Sequence, residues 1–140
     1  MADTTFRMFE LAQQGLKCSQ ILLQLGLELQ GKDNPDLIRA SSGLAGGLGF
    51  TGRICGALTG GVCLLSLYAA DNPRLYLMID ELVAWFEQQH PSINCYDIIG
   101  DDPKQKQDIA KCGAIVALTF DKVKEILEQQ DISLTGDGND

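Results

Sequence analysis

The chain has 140 residues, 45% hydrophobic and 21% charged. That suits one domain burying very roughly 70% of its unfolded surface, and it excludes general disorder. Eleven Lys and Arg against nineteen Asp and Glu give a net charge of −8, and without a basic stripe a nucleic-acid partner is not expected. The start, Met1-Ala2-Asp3, lacks the basic and apolar segments of a secretory signal, so a cytoplasmic location is expected.

Nearly every segment repeats with period 3.6, which predicts an all-α fold: a single compact bundle of about six helices around a glycine-rich central one. The first helix covers about residues 4–14, with Phe6, Phe9 and Ala12 on its apolar face and Gly15 at its end. The second runs over about residues 18–30, with Cys18, Leu22, Leu25 and Leu29 as its stripe and Gly31 as its stop. Asn34-Pro35 is a cap with a first-turn proline and opens a third helix reaching about residue 45.

Residues 43–61 hold eight glycines and a single charge, Arg53. A turn at Gly46, Gly47 and Gly49 is expected to lead into a fourth helix capped by Thr51 and ending near residue 70. Its uncharged run, residues 54–70, is shorter than the roughly 20 residues of a membrane span, so it reads as a buried core helix. Asn72-Pro73 opens a fifth helix, stopped by Pro91, with Leu75, Met78, Leu82 and Trp85 or Phe86 inward. After a short turn near residues 94–99, Asp102-Pro103 with Gln105 forms a capping box for the last helix. That helix reaches about residue 129 on the stripe Ile109, Cys112, Val116, Phe120, Val123 and Leu127. The domain is placed at residues 1–132, with a flexible polar tail over residues 133–140.

Gly52, Gly56 and Gly60 recur every four residues and stack on one face of the fourth helix. An interior helical glycine costs about 1 kcal/mol relative to alanine, so three together imply close approach of another backbone, a second copy of the chain or a flat cofactor. Residues 47–52 also read GxGxxG, but a dinucleotide site needs a strand before the glycines and the preceding segment reads helical. A backbone-amide nest at that helix start is the alternative.

Five cysteines is a high number for a chain kept reduced, and no CxxC pair occurs. Cys18, Cys55 and Cys95 fall at predicted helix N-termini, where unpaired amides and the helix dipole favour thiolate. Cys112 lies further along its helix beside Lys111. Cys63 reads as a buried residue, and the lone His90 as a solvent-facing helix cap.

The order Cys18, Gly46-Gly47-Leu48-Gly49, Cys55-Gly56-Ala57-Leu58-Thr59-Gly60, Ser92-Ile93-Asn94-Cys95 and Cys112 resembles the redox-active family catalogued as C_GCAxxG_C_C. The resemblance spans about residues 9–127 and includes the family's CGAxxG motif. It implies that Cys18, Cys55, Cys95 and Cys112 act together. The roles open to them are redox thiols or ligands of an iron–sulfur cluster or another metal, and the stripe of Gly52, Gly56 and Gly60 beside Cys55 leaves room for such a group. A related domain in split-Soret cytochromes is associated with an iron–sulfur centre, although their haem motif is absent here. Metal-free thiol–disulfide chemistry and a helical interaction module with structural cysteines stay open beside it. So do a redox partner protein and a homodimer. No hydrolytic nucleophile–base–acid set is visible.

Overall fold

The computed structural model describes residues 4–100 and 109–134. Among them are seven right-handed helices and no strand. They are α1 (Thr4–Gln13), α2 (Cys18–Leu29), α3 (Pro35–Ser41), α4 (Gly56–Ala69), α5 (Leu75–Gln89), α6 (Cys95–Ile99) and α7 (Ile109–Gln129). The all-α bundle is as the periodicity predicts. The additional helix is α6, where a short turn is expected. No helix among the described residues is long and apolar enough to cross a membrane.

The centre of the bundle is α4, which packs against α2, α5 and α7. Its glycines face two ways. A Cβ on Gly60 would come within 2.8 Å of the Ser19 Cα on α2, while one on Gly61 would meet Thr119 of α7 and Leu82 of α5. The glycine face toward α2 is therefore closed by a helix of the same chain and is not open to a second copy. Leu22, Leu64, Leu65, Leu82, Phe86, Val123 and Leu127 fill the core between these helices.

Three departures from the expected elements have physical causes. On α1 the buried residues are Met8 and Leu11, whereas Phe6 and Phe9 are 61% and 59% exposed. Two apolar stripes compete on this short helix. The Arg7 guanidinium, bound to the Glu28 carboxylate of α2 at 2.6 and 2.8 Å, helps fix which of them turns inward. At the other end of the chain Leu134 is 3% exposed in the core, so ordered packing runs past residue 132 into the expected tail.

The third departure positions the site. The α3 helix ends at Ser41, four residues early, and a 3-10 turn over Ser42–Leu44 follows. Gly46, Gly47, Leu48, Gly49 and Phe50 then all have φ between 63° and 74°, a left-handed turn five residues long. Thr51 does not cap α4: its hydroxyl donates to the Gly47 carbonyl at 2.7 Å. Gly52, at φ 82°, lies in the turn and not in the helix, so the expected three-glycine stripe reduces to Gly56 and Gly60. The helix begins only at Gly56, with Cys55 as its N-cap. The Asp102-Pro103 capping box lies outside the described residues.

Candidate functional site

Between the left-handed turn and α4 the backbone is extended for a few residues, and Ile54 pairs with Asn94 in an isolated antiparallel bridge. The Cys55 N–H donates to the Ile93 carbonyl at 2.7 Å, and the Cys95 N–H donates to the Arg53 carbonyl at 2.6 Å. Side chains alternate across extended backbone, so Cys55 and Cys95 emerge together on the face opposite Ile54 and Asn94. Each then starts a helix, Cys55 as the N-cap of α4 and Cys95 as the first residue of α6. Two short segments remote in sequence thus bring two cysteines to one face, diagonally across the bridge.

Cys18, the first residue of α2, reaches the same cavity next to Gly56. The absent side chain of Gly56 makes the room, because a Cβ there would stand 2.5 Å from the Cys18 Sγ. Cys112 comes from α7, the residue after Lys111, whose ammonium donates to the Ile98 carbonyl of α6 at 2.8 Å. All four cysteines line one cavity of about 170 Å³. Its other walls are mostly apolar, among them Ile21, Phe50, Ile98, Ile115 and Val116, and among the described residues its lining holds no His, Asp or Glu. Among the described residues, no group of three or more His, Cys, Asp or Glu side chains is spaced to hold a metal ion. The thiols share the cavity without forming a metal-spaced cluster.

Electrostatics run against the expectation that helix N-termini would favour thiolate. Burial pushes the Cys18 thiol up to about 12, with Cys55 and Cys112 adding to the rise, while the N–H groups of Ser19 and Gly46 pull the other way. Burial raises Cys55 as well, against the amides of Ala57 and Leu58. Cys95 is pushed up to about 11 by burial, then by Cys55 and Cys112. The amides are where the sequence puts them, but removing a thiolate from water costs more than they return. Cys18, Cys55 and Cys95 are thus held as thiols at neutral pH.

Other candidate residues lie elsewhere. Cys63 is half-buried on α4 and does not line the cavity. His90 is not solvent-facing: its ring packs on Phe86 at 4.3 Å, its Nε2 is buried without a hydrogen-bond partner, and burial lowers its pKa. No strand precedes the GxGxxG glycines. Sequence reasoning missed Ala45, Gly46 and Phe50 as cavity walls. The available signal was the glycine run itself, since repeated positive φ is what such a run permits.

A model of the family described as "Putative redox-active protein (C_GCAxxG_C_C)" matches residues 16–126, a span holding all four cavity cysteines. Neither a curated protein nor a solved structure matches the chain.

Proposed function

Because the chain belongs to the C_GCAxxG_C_C family of redox-active proteins, we propose that its cavity is a redox centre in which Cys18, Cys55, Cys95 and Cys112 ligate an iron–sulfur cluster. The observation that carries this reading is the arrival of four thiols, from four separate segments, on the wall of one cavity. The donor set fits: thiols with no competing His or carboxylate among the described lining residues suit iron–sulfur units. Among the described residues the thiols are not grouped closely enough to hold a single ion, so the reading is of a multi-atom unit and not of one metal ion. When bound, such a cluster supplies one-electron transfer.

The chain's own contribution is positioning and exclusion of water. The Ile54–Asn94 bridge holds Cys55 and Cys95, Gly56 makes room for Cys18, and the Ile and Val walls keep the interior apolar. Metal-free thiol–disulfide exchange would need a thiolate to attack, and burial raises the pKa of Cys18, Cys55 and Cys95. The reading places the protein in the reducing cytoplasm and requires a redox partner to deliver or accept the electron.

The test is anaerobic purification or reconstitution with iron and sulfide, followed by iron, sulfide and thiol counting. Absorption between about 320 and 450 nm that Cys55→Ser abolishes supports the cluster. A colourless protein that reversibly loses its four cavity thiols on mild oxidation would replace it with disulfide chemistry.

A further inference from the structure

We infer that Gly56 is the positioning residue for Cys18: it decides whether the cavity presents four thiols or three. This rests on the four-thiol reading of the cavity and assigns to one motif glycine a role that the other glycines of α4 do not share. A Cβ at Gly56 would meet three atoms, the Cys18 Sγ at 2.5 Å, the Leu44 carbonyl oxygen at 3.0 Å and the Ala45 Cα at 3.1 Å. Two of the three are backbone, in the segment that leads into the left-handed turn. The sulfur is the end of a side chain that can rotate, so it is the atom that gives way. Gly60, one turn on, faces the Ser19 Cα and oxygen and the Leu22 side chain, and Gly61 faces Thr119, Leu82 and Val123. Neither touches a cavity thiol. An added methyl at Gly56 therefore expels one ligand, whereas the same methyl at Gly61 loosens packing on the opposite side of α4.

The measurement is the alkylation rate of each cysteine by N-ethylmaleimide in the metal-free protein, resolved by peptide mass spectrometry. The comparison is between Gly56→Ala and Gly61→Ala. In Gly56→Ala the rate at Cys18 relative to Cys95 rises by about tenfold or more, equivalent to about 1.4 kcal/mol, while in Gly61→Ala the ratio stays at its original value. An unchanged ratio in both variants overturns the assignment, as does an equal rise in both. Should Gly56→Ala fail to fold, Gly56→Ala combined with Cys18→Ala regains the helical circular dichroism if the sulfur is the obstacle. Continued failure of that double variant overturns the proposal. No iron enters the measurement. A chain that never takes up a cluster still shows the selective change at Cys18, and a cluster-binding chain without that change leaves the cluster reading standing.

Discussion

Glycine-to-alanine exchange at two helical positions should change stability in opposite directions. At Gly113, on an exposed part of α7, an added Cβ meets nothing among the described residues within 4 Å. Alanine there gains only helix propensity, about 1 kcal/mol. At Gly60 the same methyl would stand 2.8 Å from the Ser19 Cα and 3.2 Å from both the Ser19 oxygen and the Leu22 Cδ1. Ordinary carbon contacts begin at about 3.5 Å, so α2 must retreat by more than half an ångström along the most extensive helix pair in the molecule. Backbone cannot rotate aside, which puts the cost near the upper end of overpacking, about 3 kcal/mol. Subtracting the propensity gain leaves a net loss of about 2 kcal/mol. At about 3 °C per kcal/mol for a chain of this size, Gly60→Ala melts about 6 °C lower and Gly113→Ala about 3 °C higher. Thermal unfolding of the metal-free, reduced protein followed at 222 nm reads both shifts. If the two variants both melt higher, propensity dominates at both sites and α2 is not pressed onto α4 as described.

Three further outcomes follow from particular residues. The folded chain holds the Cys18 thiol protonated up to about 12, against 9.0 for an ordinary cysteine, so its contribution to stability is complete below about pH 9 and is lost as pH rises toward about 12. Denaturant titrations should show about 1–2 kcal/mol lost between pH 7 and pH 10 through this group, a loss that Cys18→Ala removes; an unaltered pH slope in that variant contradicts the burial argument. Leu134→Ala should lower the urea midpoint by an amount equivalent to about 2–3 kcal/mol, because Leu134 is part of the core, whereas a frayed tail would leave it unmoved. On the cluster reading, Cys63→Ser should take up as much iron on reconstitution as the unaltered chain, since Cys63 does not line the cavity, and reduced iron content would bring it into the site.

What the sequence makes readable is the local physics. The apolar period locates α2 and α5 to within a residue or two, and Asn34 caps α3 as its type predicts, accepting from the Leu37 N–H at 3.1 Å. The glycine motif marks where α4 must meet another backbone. Three features are not local and stay hidden. Residues 46–50 include Leu48 and Phe50, which prefer right-handed backbone; the Phe50 ring fills the space where a Gly46 side chain would stand, and the Gly52 and Arg53 amides tie back to Gly46 and Gly47. The Ile54–Asn94 bridge involves one residue from each segment, too few to show a period of two. The inward face of α1 depends on where α2 lies, which the composition of α1 does not record. For the site, the family resemblance groups the four cysteines and the structure brings those four to one cavity. The apolar walls come from helices whose stripes read simply as core.

The direction of the thiol pKa values shows why position on a helix is an incomplete guide to cysteine chemistry. A helix N-terminus contributes about 0.3–1 kcal/mol to a nearby anion, and up to about 2 in favourable geometry. Raising Cys18 from 9.0 to about 12 corresponds to about 4 kcal/mol in the opposite sense, so desolvation outweighs the amides. Nearby thiols compound this, because each ionised sulfur would face others across the same apolar space. A metal cation bound inside the cavity would stabilise thiolates there. On the cluster reading proposed above, iron uptake would release protons from the buried thiols, and its apparent affinity would tighten as pH rises. Iron-loading titrations at about pH 6 and about pH 8 give the sign: tighter loading at the higher pH agrees with protonated thiols, and equal affinity would mean that the sulfurs carry their charge before any metal arrives.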